Sequence, residues 1–171
     1  YVKMSLPEEK AYLFTVKISL VCYDEIRSAV ESKMAENVPV SPLELTFDYK
    51  LFERQEKDLV DDVVSALPIS LVDLYVEMAQ KAELSLLSLG IESQAITRAV
   101  LPAGTTDTAL VVNFSPEKVG LYVSHARVVR FTSTISTKGE YSNNPAFLMQ
   151  EIKKLYTYWH TLKENVDKPE R

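Results

Sequence analysis

The hydrophobic pattern changes its period within the first 67 residues, and this change constrains the fold more than any other feature of the chain. Apolar residues alternate from 11 to 20, which predicts a strand. The residues that share one face of this strand are Tyr12, Phe14, Val16 and Ile18. A helix is predicted from about Tyr23 to Glu36, because apolar residues then recur at every fourth position. These residues are Ile26, Val30 and Met34.

Two strand-like runs follow this helix, after prolines at positions 39 and 42 that end the helical pattern. The runs are "LELTFDYKLFE" and "KDLVDDVVSAL", and the polar "RQE" separates them. Because a short polar connection joins two apolar runs, we predict an antiparallel hairpin. Together with the preceding strand and helix, the hairpin forms a β-α-β-β subdomain over about residues 12–67.

The rest of the first lobe reads as helix, strand and helix. Ser70 stands three residues before Asp73, the spacing of a capping box, so we predict a helix that begins there. Its predicted apolar face consists of Leu71, Tyr75, Met78 and Ala82. The strand "LSLLSLG" and a short helix from Glu92 to Leu101 follow. Proline and glycine then break the pattern, so we place the first lobe at 1–102 and the second at 103–171.

The second lobe reads as a β-meander followed by a helix. Three strands are predicted between Thr108 and Ile135, with turns at Ser115–Lys118 and at His125–Ala126. A helix starts at Pro145, and its apolar stripe consists of Leu148, Ile152, Leu155, Trp159 and Leu162. The whole chain is therefore predicted to be of the α/β (α+β) class, with the last helix packed on the meander.

The composition of the 171 residues excludes several functional classes. A net charge of −5 without a stripe of Lys and Arg disfavours nucleic acid as a partner. No apolar run approaches the roughly 18 residues of a membrane-spanning helix. Cys22 is the single cysteine and forms no internal disulfide, so the cytoplasm is the expected compartment.

Catalytic and metal-binding constellations are also missing from the sequence. His125 and His160 have no Cys or His at ligand spacing nearby, so we predict no metal site. No serine lies in a G-x-S-x-G motif, and we predict no catalytic residue. The acidic residues near position 60 are interpreted as a solvated sheet edge.

The hairpin "VVNFSPEKVGLYV", residues 111–123, has the outline of a phosphate-binding hairpin without its chemistry. Backbone amides approach a phosphate closely where glycine removes the side chain, and this turn contains Pro116 and Glu117 instead. Pro116 has no N–H to donate, and the carboxylate of Glu117 repels phosphate. Asn113 does not supply the charge that organises a magnesium ion.

The order of these elements resembles the PilM family, the actin-like cytoplasmic proteins of type IV pilus assembly, and more distantly FtsA of cell division. The resembling stretches are "YLFTVKISLVCYDEIRSAVESKMAENVPVSPLELTFDYKLFE", "LPISLVDLYVEMAQKAELSLLSLGIESQAITRAVLP", "TALVVNFSPEKVGLYVSHARVVRFTSTIS" and "EIKKLYTYWHTL". They cover about residues 12–162 as an ordered set. The resemblance implies a fragment of an actin-like, ribonuclease H-like core with an inserted β-α-β-β subdomain of the SHS2 type.

The resemblance also implies a function. It implies a non-catalytic cytoplasmic scaffold of a type IV pilus or related secretion assembly, peripheral to the inner membrane. A peptide of a PilN-like inner-membrane protein is the implied partner, docked beside the β-α-β-β subdomain. The expected contacts are Ile26, Val30, Val38, Val40 and Tyr49. Ordinary core packing is the alternative for each of them.

Departures from the family pattern concern the nucleotide. The family hairpin carries Asp, Gly and hydroxyl residues where this chain has Asn113, Ser115 and Pro116–Glu117. The family's first phosphate hairpin would precede Tyr1, and its Gly-Gly adenosine segment would follow the last helix. We therefore expect no cofactor, although ATP and Mg bind in an intact family member. Two alternatives stay open: an actin-like ATPase in which Asn113 and Ser115 line the nucleotide cleft, and a self-assembling structural module that forms homo-oligomers.

Overall fold

The computed structural model describes residues 1–19, 23–53, 59–136 and 145–161. In chain order, its strands and helices are β1 (Val2–Leu6), β2 (Tyr12–Ser19), α1 (Tyr23–Asn37), β3 (Leu45–Glu53), β4 (Leu59–Pro68), α2 (Ile69–Lys81), β5 (Leu86–Ile91), α3 (Glu92–Val100), β6 (Thr108–Phe114), β7 (Lys118–His125), β8 (Val128–Ser136) and α4 (Pro145–Thr161). Their contacts divide the chain into two compact units, Tyr1–Ala99 and Val100–Arg171, whereas the sequence prediction placed the boundary after residue 102.

The predicted β-α-β-β subdomain is a single antiparallel sheet with one helix. Its strand order is β2-β4-β3, so the last strand of the subdomain in chain order occupies the centre. Val64 of β4 lies opposite Phe14 of β2 and opposite Tyr49 of β3. The predicted arrangement of these strands in one sheet is confirmed. The predicted end of the first strand at residues 20–21 and the "RQE" turn lie outside the described residues.

Helix α1 packs on one face of this sheet and forms its core. Ile26, Val30 and Met34 are at most 3% exposed, as their spacing of four residues predicts. The first two pack with Val16, Ile18 and Val64, and Phe14, Phe47, Tyr49 and Leu51 surround that cluster. Met34 packs with Val38, Leu45 and Ala66. The α1 stripe is therefore used to close the subdomain.

Strands β1 and β5 form a parallel pair that the sequence analysis did not predict. Val2 lies opposite Leu86 and Leu6 opposite Ile91, although more than 80 residues separate them. The segment from β2 to β4 is thus inserted between two strands of a different sheet. A long-range parallel pair leaves no local signal, because each strand is read from its own period only.

The buried carboxylate of Glu8 fixes the point at which the subdomain leaves this parallel pair. Glu8 begins a 3₁₀ turn, Glu8–Lys10, between β1 and β2, and it is 5% exposed. Its Oε2 accepts a hydrogen bond of 3.2 Å from the N–H of Ser93, in the first turn of α3. A carboxylate at a helix N-terminus satisfies a free N–H group and interacts favourably with the helix dipole.

The capping box predicted at Ser70 is wrong. Helix α2 begins at Ile69, one residue earlier, and its N-cap is Pro68, which makes no side-chain hydrogen bond. The chain passes from β4 directly into the helix, so no separate capping residue stands between them. The predicted apolar face is also partly wrong, because Met78 is half exposed and Ala82 follows the helix, while Ala79 is the buried residue.

The second unit contains the predicted three-stranded meander and its helix. The strand order is β6-β7-β8, and both pairs are antiparallel. Leu155 packs with Val119, Leu121 and Val123 of β7. Leu148, Ile152 and Trp159 of α4 surround this cluster, so the predicted packing of the last helix is confirmed. Leu162 lies outside the described residues.

The second turn of the meander lies one residue later than predicted. It contains Ala126 and Arg127, and both have positive φ angles, of 50° and 61°. Positive φ at both positions is the geometry of a type I′ turn, which matches the twist of the strands that it connects. Because the sequence has no glycine or asparagine there, the usual local signal for this turn is missing.

Candidate partner-binding surface

The five predicted peptide contacts divide into buried and partly exposed side chains. Ile26, Val30 and Val38 are 3%, 0% and 8% exposed, and their side chains belong to the core under α1. Val40 and Tyr49 are half-buried at the margin of that core. The side chains of the first three are therefore packed in the core, which was the alternative to a peptide contact. Contact of any of the five with a peptide stays a prediction.

An aromatic surface surrounds Tyr49 on the edge strand β3. The rings of Phe47 and Tyr49 are stacked with their centroids 6.5 Å apart. The guanidinium of Arg27, on α1, lies 4.7 Å from the centroid of the Phe47 ring. This cation–π contact joins the helix to the edge strand, and the Nε of the same guanidinium pairs with Glu31 at 3.4 Å.

The 3₁₀ turn before β3 contributes an exposed leucine that sequence reasoning missed. Leu43 is 89% exposed in the turn Pro42–Glu44. The Oγ of Ser41 accepts a hydrogen bond of 3.4 Å from the backbone N–H of Leu43, which caps the turn. We call Val40, Leu43, Phe47 and Tyr49 the β3 rim. An edge strand flanked by apolar and aromatic side chains is suited to an extended peptide, because the strand offers backbone groups and the side chains offer pockets.

The hydrogen bonds of the β6–β7 turn close on the turn itself. The N–H of Ser115 donates to the carbonyl of Lys118 at 2.9 Å. The Ser115 hydroxyl donates to the same carbonyl at 2.9 Å and accepts the N–H of Lys118 at 3.2 Å. Pro116 has no N–H. The amide and hydroxyl of Ser115 and the amide of Lys118 therefore all bond within the turn.

Asn113 is held inside the same hairpin. Its Nδ2 donates to the hydroxyl of Tyr122 at 3.5 Å, and Tyr122 is fully buried. Asn113 lies opposite Gly120 in the strand register, and the Tyr122 ring occupies the space that a Cβ at Gly120 would take. The two residues predicted to line a nucleotide cleft, Asn113 and Ser115, thus both have hydrogen-bond partners within the β6–β7 hairpin.

The described residues contain no metal-binding cluster and no membrane-spanning helix. No three side chains of His, Cys, Asp or Glu come together there as metal ligands. His125, one of the two histidines, has its Nδ1 3.2 Å from the Thr108 hydroxyl. None of the described helices has both the length and the apolar character needed to cross a bilayer.

Comparison with known proteins identifies the fold. No family model matches the chain, and no curated protein matches it. Among solved structures, a chain of the PilM–PilN type IV pilus biogenesis complex matches 94% of this chain with a TM-score of 0.66 and 18% sequence identity. The cytoplasmic domain of EpsL, an inner-membrane component of the type II secretion system of Vibrio cholerae, matches 84% with a TM-score of 0.58 and 8% identity.

The chain spans about half the length of these solved chains, 52% and 56% respectively. The predicted α/β class and the resemblance to PilM are confirmed at the level of the fold. The chain has a PilM-like fold, shared with a protein of type IV pilus biogenesis and one of type II secretion.

Proposed function

We propose that the chain is a non-catalytic scaffold of a type IV pilus or type II secretion assembly, held at the cytoplasmic face of the inner membrane. The proposal is supported by the fold that the chain shares with a component of the PilM–PilN complex and with EpsL. The observation that carries the non-catalytic part is the β6–β7 turn, whose Ser115 hydroxyl and amide both bond to Lys118.

The proposed partner is a peptide of a PilN-like inner-membrane protein. We place it on the β3 rim, because Val40 and Tyr49 keep exposed surface there and Leu43 lies almost wholly in solvent. The peptide would run along β3 as an extended segment and place apolar side chains on Phe47 and Tyr49. Buried aromatic side chains contribute most to such interfaces.

A binding titration tests the partner. Labelled peptides that tile the cytoplasmic part of the PilN-like protein of the same organism are titrated with the chain. We expect one peptide to bind, and Tyr49→Ala to weaken it by about tenfold or more, since hot-spot truncations exceed about 1.4 kcal/mol. Leu87→Ala, which removes a side chain that is 58% exposed on β5, is the matched control and keeps the affinity. Equal affinities for all three proteins would exclude the β3 rim.

The rival proposal is an actin-like ATPase in which Asn113 and Ser115 contact the nucleotide. Calorimetric titration with Mg-ATP separates the two. The scaffold proposal expects no heat of binding at micromolar concentrations, because the loss of two or three charge-assisted hydrogen bonds costs about 1.5–3 kcal/mol each. A micromolar dissociation constant that is lost in Asn113→Ala and Ser115→Ala would favour the ATPase.

A further inference from the structure

One backbone N–H on the edge of the inserted sheet is bonded by a side chain of its own strand. Strand β3 is an edge strand of the described sheet, in which it pairs only with β4. The N–H of Tyr49 donates to Oδ1 of Asp48 at 2.9 Å. Asp48 is exposed, and Tyr49 is half-buried against the core under α1. The bond therefore lies on the strand along which the proposed peptide would run.

The strand register shows that this N–H points away from β4. Leu45 lies opposite Pro68, which has no N–H, and the N–H of Leu45 donates to the carbonyl of Pro42. The pair of Leu45 and Pro68 therefore exchanges no ladder hydrogen bonds. Because bonded and non-bonded pairs alternate along antiparallel strands, the backbone groups of the odd-numbered residues of β3 point outward. These residues include Phe47, Tyr49 and Leu51.

The carboxylate of Asp48 occupies the place that a backbone acceptor of a further strand would take. Phe47 and Tyr49 pack against the core under α1, so Asp48 between them belongs to the opposite face of the sheet. Its carboxylate turns to the outward N–H of Tyr49. A local bond of this kind offers the backbone an alternative to a sheet ladder. Charged side chains on edge strands commonly prevent pairing with another strand, and Asp48 has the position and the chemistry for this role.

We propose that Asp48 guards the β3 edge: its carboxylate and a main-chain carbonyl of the incoming peptide compete for the N–H of Tyr49. This guard role rests on the proposed function, to which it adds the backbone bond that the peptide makes and the residue that opposes it. Both groups are hydrogen-bond acceptors, and the geometry of a single N–H favours one acceptor at a time. Asp48 therefore lowers the affinity of the β3 rim for an extended peptide.

The guard makes the β3 rim selective for peptides with apolar side chains. A hydrogen bond to a charged acceptor is stronger than one to a neutral carbonyl, so the exchange of carboxylate for carbonyl is unfavourable by itself. Apolar side chains that pack on Phe47 and Tyr49 offset this loss. A strand without such side chains lacks that contribution, and Asp48 keeps it from the edge. The apparent affinity of any peptide falls with the fraction of chains in which Asp48 has released the N–H.

Two substitutions at Asp48 test the competition, when the labelled peptides of the partner titration are added to the native chain and to both variants. Asp48→Ala removes the charge and the acceptor, and we expect it to strengthen binding by about threefold to tenfold, the range of one typical hydrogen bond. Asp48→Asn removes the charge but keeps an oxygen acceptor, so it is the matched control and should gain less. Equal gains in the two variants would assign the effect to charge and overturn the guard role. An unchanged or lower affinity in Asp48→Ala would also overturn it.

Amide exchange of Tyr49 gives a second measurement, which needs no peptide. Exchange at Tyr49 should be faster in Asp48→Ala than in the native chain, whereas exchange at Thr46, whose N–H points to β4, should not change. Unchanged exchange at Tyr49 would overturn the guard role, because the carboxylate then does not hold the N–H. If no peptide binds the native chain or Asp48→Ala, the proposed function and the guard role fail together. If a peptide binds both proteins equally, only the guard role fails.

Discussion

The inserted subdomain and the meander are built from the same parts, a three-stranded antiparallel sheet with one helix on one face, but the helix covers them to different extents. Helix α1 connects two strands of its own sheet and buries Ile26, Val30 and Met34 to 3% exposure or less. Helix α4 follows the last strand of the meander, and among its residues only Leu155 is buried.

The edge strands of the two sheets also differ in their charged residues. The edge strands of the subdomain, β2 and β3, carry Lys17, Asp48 and Lys50, whereas β6 of the meander carries no charge. The helix between two strands of its own sheet thus buries more of its stripe than the helix that follows the last strand of its sheet. The subdomain is therefore closed by its own residues, whereas β6 is an uncharged edge strand among the described strands of the meander.

The largest expected effect concerns the helix that the subdomain encloses. Met34→Ala should lower the free energy of unfolding by about 2–5 kcal/mol, because it leaves a cavity where a side chain is 1% exposed. Met149→Ala on α4 is the matched control, and we expect a change below about 0.5 kcal/mol at a position that is 53% exposed. Urea denaturation measures both. Similar losses in the two variants would contradict the difference between α1 and α4.

The attachment of the subdomain can be weakened at Glu8. Glu8→Ala should lower stability by about 1.5–3 kcal/mol, because the Ser93 N–H loses a charged acceptor in a buried position. Amide exchange should become faster at Ser93 and in the rest of α3 but not elsewhere. A general loss of stability would instead speed exchange throughout the chain. Glu9→Ala, at the exposed neighbouring position, serves as the control. Unchanged exchange at Ser93 would show that the hydrogen bond does not hold the turn.

In the meander, the close approach of Tyr122 to Gly120 is the sensitive point. Gly120→Ala should cost about 1–3 kcal/mol, because the new Cβ overlaps a fully buried ring. Gly90→Ala is the control, since nothing lies within 4 Å of its added Cβ. The double variant Gly120→Ala with Tyr122→Leu should be less destabilised than the sum of its single changes. Additive losses would show that the ring is not the cause.

The smallest expected effect is a gain of stability at the second turn of the meander. Ala126→Gly should stabilise the chain by about 0.5–1 kcal/mol, because Ala126 has a φ of 50° that glycine adopts without steric cost. Ala109→Gly within β6 is the control and should destabilise by a similar amount. Thermal denaturation of the native chain and the two variants measures these changes in stability. A loss of stability in Ala126→Gly would mean that its methyl group contributes more than the turn strain costs.

The sequence predicted the local elements well and the long-range pairings poorly. The strands of the subdomain, the meander and α4 were found because each carries its own hydrophobic period over many residues. The parallel pair of β1 and β5 was missed. These strands have five and six residues, and the sequence of neither indicates which strand it pairs with. Of the β3 rim, the sequence predicted only Val40 and Tyr49. An apolar residue such as Leu43 is expected to be buried, and its sequence gives no sign that the side chain is exposed.

By itself the sequence determined where helices and strands form, and which atoms the β6–β7 turn can offer to a ligand, since period and residue chemistry are local properties. Only the tertiary structure decided that β4 lies at the centre of its sheet, and that Ile26 and Val30 face the core. Burial and strand pairing depend on contacts between residues far apart in the chain. An apolar stripe on α1 is compatible with a core or with a partner, and the fold assigns it to the core because the sheet lies against it.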